Sequence, residues 1–183
     1  MKIYAFCGSH STGKSTLLEH FKGKEDVVCY DSVTRGNTTK EERRIDDVTD
    51  LSVAQSKIAA SIICKMEDLI ETYQNTDKII FLDRCVIDYI AYTIAFYYRG
   101  LISEELGNLL INSVRKDVDY IDKIFYLPLE FDIVDDGSRS TDEELRKEVD
   151  RNIQNLLSGW DKVVALKGSV EDRIKAIEEW IWR

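Results

Sequence analysis

Nine consecutive residues near the start constrain this chain more than any other feature. Gly8-Ser9-His10-Ser11-Thr12-Gly13-Lys14-Ser15-Thr16 fits the pattern G-x-x-x-x-G-K-S/T. The stretch follows a short β-prone run, Lys2 to Cys7, and opens an amphipathic segment, Lys14 to Phe21. A strand must therefore run into a tight loop and straight on into a helix. The two glycines permit backbone angles that curl successive N–H groups around an anion, and the helix N-terminus adds the positive end of its dipole. Lys14, expected to stand exposed at the helix start, reaches the β- and γ-phosphates of a bound nucleotide, and the Ser15 hydroxyl becomes a Mg2+ ligand. His10 is read as a spacer within the loop.

The rest of the chain alternates between two periodicities. β-prone runs recur at Lys2 to Cys7, Asp26 to Tyr30, Lys78 to Leu82, Lys123 to Leu127 and Lys162 to Leu166. Helical spacing fills the intervals at Lys14 to Phe21, Leu51 to Tyr73, Val86 to Tyr98, Glu104 to Val114, Glu143 to Leu157 and Val170 to Trp182. Thr141-Asp142-Glu143-Glu144 has capping-box spacing and predicts a helix start there. Strands separated by helices pair in parallel through right-handed crossovers, which gives an α/β fold: a three-layer αβα sandwich whose crevice opens at the strand C-termini.

With 183 residues and no Pro/Gly/Ser-rich linker, the chain is expected to form one domain. Its 25 basic against 34 acidic residues leave a net charge of -9, so nucleic acid and membrane partners are not expected. The four cysteines lie more than twenty residues apart with no CxxC pair, which predicts reduced, mostly buried thiols in a cytoplasmic protein. The longest apolar run, about Val86 to Tyr98, is too short to cross a membrane.

The class of nucleotide chemistry is decided further along. Ile79-Ile80-Phe81-Leu82-Asp83 ends a strand in a carboxylate suited to Mg2+, but Arg84 follows where hydrolytic ATPases usually carry a water-polarising Glu. No Asn-Lys-x-Asp guanine signature occurs. Asp83-Arg84, then Asp88 and Ile90-Ala91-Tyr92, resembles the Asp-Arg-x-x-x-Asp segment of P-loop nucleoside and nucleotide kinases, closest to the small AAA-type ATP-binding group related to ribosylnicotinamide kinases. Asp122 to Pro128 is similar to that group's fourth strand, and Asp135 to Arg139 with Asp142 to Arg146 and Asp150 to its lid, about residues 129–151. Leu166 to Arg173 resembles its last strand and turn, where Gly168 and Ser169 would clasp adenine with backbone groups.

The resemblance implies a five-stranded parallel sheet of P-loop NTPase, nucleotide kinase-like type. It also implies ATP-Mg2+ as donor and phosphoryl transfer to a small acceptor: a nucleoside, a nucleotide or nicotinamide riboside. A regulatory ATP-binding module and a polynucleotide-directed kinase are the competing readings, and the oligomeric state is open. Asp31, after the second strand, is a candidate base or ribose anchor, though it could equally cap a turn. Arg35 could reach an acceptor phosphate or stand in solvent. Arg84 and Asp88, four residues apart on one helix face, could pin a sugar or base or simply pair with each other, and Tyr89 or Tyr92 could stack on the acceptor ring. Nine carboxylates between Glu130 and Arg151 accompany Arg139, Arg146, Lys147 and Arg151. Of these, Arg139 and Arg146 are the candidate lid arginines for the transferring phosphate.

Overall fold

The structure, a computed structural model, describes residues 1–33, 50–130 and 142–182. Five parallel strands, β1 (Lys2–Cys7), β2 (Val27–Tyr30), β3 (Ile79–Asp83), β4 (Lys123–Tyr126) and β5 (Val163–Ala165), form one sheet in the order β2-β3-β1-β4-β5. The helices are α1 (Lys14–Phe21), α2 (Leu51–Tyr73), α3 (Val86–Tyr98), α4 (Glu104–Val114), α5 (Glu143–Leu157) and α6 (Val170–Ile181), with a 3-10 turn at Arg115–Tyr120. The sequence-predicted strands and helices are all present, displaced by at most a residue or two at their ends. Ladder bonds run past several of those ends, with Leu127 N donating to the Cys7 carbonyl and Leu166 N to that of Tyr126, each at 2.8 Å.

Alternation along β1 splits the core into two layers. Ile3, Ala5 and Cys7 face a cluster drawn from α2, α3, α4 and α5, while Tyr4 and Phe6 face α1 and α6 through Leu17, Leu18, Phe21 and Ile177. On the second face Phe6 stacks on Phe81 at 5.4 Å between ring centroids and Phe21 on Phe81 at 4.5 Å. Each fully buried ring of this kind contributes roughly 1.5–3 kcal/mol. Cys7 and Cys85 are buried as expected, whereas Cys29 is half-buried and Cys64 exposed.

Two helices start where the sequence places them, at Glu143 and Val170, but their caps depart from the sequence reading. α5 is capped by Asp142, which accepts from Leu145 N at 2.8 Å, one residue later than the cap that the Thr141-led spacing implies; Thr141 lies outside the described residues. α6 begins with a capping box that went unread, Ser169 with Asp172 at N3. Among the described residues, no helix is long and apolar enough to cross a membrane.

Asp117, in the 3-10 turn, is buried, and its Oδ2 has no hydrogen-bond partner among the described residues. Desolvation foremost, with Glu67 adding and Lys116 opposing, raises its pKa above the ordinary carboxylate value. A raised folded-state pKa means that the ionised group opposes folding above its unfolded pKa, and that this penalty fades as pH falls. Asp117→Asn is therefore expected to raise Tm at pH 7, with the gain shrinking towards zero below about pH 4. Thermal denaturation of both proteins across that range checks it.

Candidate active site

The phosphate loop leaves β1 at the centre of the sheet, where strand order reverses between β3 and β4. A Cβ at Gly8 would lie 2.6 Å from the Leu127 carbonyl oxygen, so only glycine fits. Gly13, at φ +93°, caps α1 in the left-handed region. Lys14 folds back into the loop and donates to the Gly8 carbonyl at 2.6 Å, to the Ser9 carbonyl, and to Thr12 Oγ1 at 3.1 Å. It is 5% exposed, which corrects the expectation of an exposed lysine. Burial first, then the Arg84 charge, pulls its pKa down to about 8 against the opposing pull of Asp88 and Asp83.

Ser15 and Asp83, 68 positions apart, meet at the loop: Ser15 Oγ donates to Asp83 Oδ2 at 3.0 Å. A hydroxyl beside a buried carboxylate is a donor set that suits a hard divalent cation.

Arg84 does not share a helix face with Asp88. It sits ahead of α3 at φ +103°, its guanidinium 5.6 Å from the Tyr92 ring centre and 3.8 Å from Asp88 Oδ1. Asp88 is buried and accepts Gly8 N and Cys85 N, both at 3.0 Å. It thus closes the α3 capping box and pins the first amide of the phosphate loop. Cys7, Cys85 and Asp88 bring their ligand atoms within 4.8 Å of one another, and burial foremost pushes the Cys7 thiol up, holding it protonated. His10 is more than a spacer, since its Nδ1 lies 2.9 Å from the Tyr92 hydroxyl.

Arg146 reaches the loop through backbone carbonyls, while its Nη1 lies 3.4 Å from the Glu143 carboxylate on its own helix. From α5 its Nε donates to the His10 carbonyl at 3.2 Å and its Nη2 to that of Ser11 at 3.5 Å. Asp31 is exposed, with its carboxylate 3.3 Å from Lys22 and its carbonyl accepting from Lys65. Gly168 N donates to Glu130 and Ser169 N to Asp172, so both amides at that turn have protein partners. Arg35 and Arg139 lie outside the described residues. A groove of about 620 Å³ runs between the starts of α1 and α6, lined by Ser15, Thr16, Glu19, His20, Val170 and Ile174. Its apolar floor beside Thr16 had no local signature in the sequence.

A five-stranded parallel sheet with this loop at its switch point defines an α/β P-loop nucleotide-binding fold. The chain belongs to the AAA domain family, which it matches over residues 3–173. None of the curated proteins matches it. Among solved structures it is similar to deoxyadenosine kinase from M. mycoides with the products dCMP and dCDP, at 16% identity and TM-score 0.72, covering 98% of each chain. It is similar to thymidylate kinase from Candida albicans at 15% identity and TM-score 0.73, covering 99% of this chain and 91% of that one. It is also similar to NadR protein in complex with NR at 22% identity and TM-score 0.75, covering 100% of this chain and 52% of NadR, about half of that protein.

Asp88→Ala removes two buried charge-assisted bonds and is expected to cost on the order of 3 kcal/mol. For a chain of this size that lowers Tm by about 6–12 °C, which differential scanning calorimetry reads directly.

Proposed function

We propose that this protein is a kinase that transfers the γ-phosphoryl group of ATP to a small nucleoside-type acceptor. The observation that carries the reading is the Ser15–Asp83 pair next to Lys14, with Arg84 in the following position instead of a water-polarising acid. The first three are what a nucleoside triphosphate with its metal needs, and the fourth suits an acceptor better than a hydrolytic water.

The residues present fit both ATP and Mg2+. Ser9 Oγ is buried in the loop with no partner among the described residues, as a phosphate-binding hydroxyl should be before its ligand arrives. Adenine fits the groove between α1 and α6, where Val170 and Ile174 offer apolar contact directly after the Gly168-Ser169 turn. Ser15 and Asp83 would hold Mg2+, which when bound neutralises charge on the phosphate oxygens.

Lys14 then exchanges its carbonyl partners for phosphate oxygens, which restores the protonated form that burial disfavours. Arg84, resting on the Tyr92 ring, places a cation beside Asp83 where the acceptor oxygen arrives. Asp31 is the candidate to accept that oxygen's proton or to hold the ribose, after leaving Lys22. A free nucleoside is the favoured acceptor, in keeping with the deoxyadenosine kinase likeness. A role for Arg35 at an acceptor phosphate belongs to the monophosphate alternative.

Labelled ATP offered with a panel of nucleosides, deoxynucleotides and nicotinamide riboside tests the proposal. Label is expected on a nucleoside. ATP binding without transfer to any of them would favour a regulatory module instead. Lys14→Ala is expected to reduce transfer on the order of 10³-fold while leaving Tm within a few degrees of wild type, because the lysine serves phosphate charge and its burial opposes folding. Transfer at near wild-type rate in that variant would sink the assignment.

A further inference from the structure

Arg173 and Glu130 take no part in the site described above, yet they connect its separate loops. Arg173, on the first turn of α6, is 1% exposed. Its Nη1 donates to the Thr12 carbonyl of the phosphate loop at 2.8 Å, and its Nη2 to Glu130 Oε2 at 2.6 Å. The same Glu130 oxygen accepts Gly168 N at 3.0 Å, from the turn that leads into Val170, which lines the groove between α1 and α6. One guanidinium and one carboxylate thus tie the end of the β4 segment, the turn before α6 and the phosphate loop into a continuous chain of charge-assisted hydrogen bonds.

The direction of these bonds matters. A trans peptide points its carbonyl and the following N–H in opposite directions, and no cis peptide interrupts the described backbone. Arg146 holds the His10 and Ser11 carbonyls and Arg173 that of Thr12, so the N–H groups of Ser11, Thr12 and Gly13 are turned away from the arginines. Those are amides of the phosphate-binding loop. Burying a guanidinium is costly, and apolar packing would hold a helix to a loop more cheaply. An arginine at this position is therefore better explained by what it aims than by what it packs. The Arg173 guanidinium, foremost, keeps the Glu130 carboxyl below the usual range, so the pair stays ionised.

We propose that Arg173 and Glu130 are positioning residues for ATP: they couple the turn that sets Val170 at the groove to the phosphate loop, so that base contact in the groove sets the amides of the loop. The proposal rests on the ATP-site reading above. Neither side chain acts on the reacting atoms, and the coupling belongs to donor binding more than to the chemical step.

Calorimetric titration of the full chain with ATP-Mg2+ and with inorganic tripolyphosphate, in the absence of acceptor, separates this role from a merely structural one. Glu130→Ala is expected to weaken ATP binding about tenfold while changing tripolyphosphate much less, so that the preference for ATP over tripolyphosphate shrinks several-fold. Glu130→Gln, which keeps an acceptor for Gly168 N, should restore most of the loss. In steady state the KM for ATP rises about tenfold, with kcat and the acceptor KM within about threefold. Arg173→Lys, which retains charge but cannot bond Thr12 and Glu130 in the same fork, should weaken both ligands, and it replaces Arg173→Ala should that variant not fold. ATP binding within twofold of wild type in Glu130→Ala, with only Tm lowered, would overturn the relay and leave the ATP site standing. Failure of the wild-type protein to bind ATP would overturn both.

Discussion

A strand buried on both faces can end only over the edge of its sheet, and β1 is such a strand, held between β3 and β4. Its exit is Gly8, where the Leu127 carbonyl leaves no room for a side chain and the Asp88 carboxylate receives the amide. Everything downstream in the loop is held in turn by groups from both helix layers. Asp88 comes from α3 and Arg146 from α5, on one side of the sheet, and Arg173 from α6 on the other. The loop is therefore the place where the two halves of the core meet. Disturbing either layer disturbs the phosphate-facing amides, even though most of the residues responsible never reach the crevice.

The charge distribution follows from the same arrangement. The chain carries a net charge of -9, yet Lys14, Arg146 and Arg173 are nearly inaccessible and Arg84 is half-buried, all around one loop. Taking a cation out of water costs several kcal/mol unless its partners compensate. Here carbonyl oxygens, Asp83, Asp88 and Glu130 compensate in part, and the lowered pKa of Lys14 records what they leave over. A polyphosphate would supply the missing negative charge at close range, where an acidic surface many ångströms away is screened by solvent and salt. An acidic protein with a site for an anion is thus no contradiction, because the field at the loop is set by its nearest cations.

How much of this could be read in the sequence depends on the range of each interaction. The strands and helices were legible because period 2 and period 3.6 are local, and the capping signal at Asp142 was off by only one residue. Ser15 and Asp83 were legible across 68 positions because each ends a recognisable unit, a glycine-rich loop and an apolar strand. Arg173 was not, since it lies 161 positions from Thr12 and nothing along the chain between them marks their meeting. Arg146 stood among nine carboxylates and three other cations, where pairing along the helix accounts for the pattern equally well, and only burial reveals that it faces the loop. The i, i+4 spacing with Asp88 suggests a shared helix face for Arg84, but the capping box begins after it, and a residue preceding an N-cap obeys no helical spacing.

That misplaced arginine bears on how an acceptor is held. A non-glycine residue at φ +103° carries backbone strain of order 1–3 kcal/mol, sustained only where its surroundings fix it. Asp83 before it ends β3, Cys85 after it caps α3, and the Tyr92 ring supports its guanidinium. Arg84 is thus locked on both sides by secondary structure, next to the proposed metal ligand. Asp31 stands differently: exposed, turned towards Lys22, at the end of a four-residue strand on the sheet edge. Phosphoryl transfer relies on positioning and charge more than on proton abstraction. A rigid cation suits that demand better than a loosely held carboxylate. In the proposed kinase the acceptor would therefore be positioned first by Arg84, held against the Tyr92 ring, with Asp31 as a second and more loosely held partner.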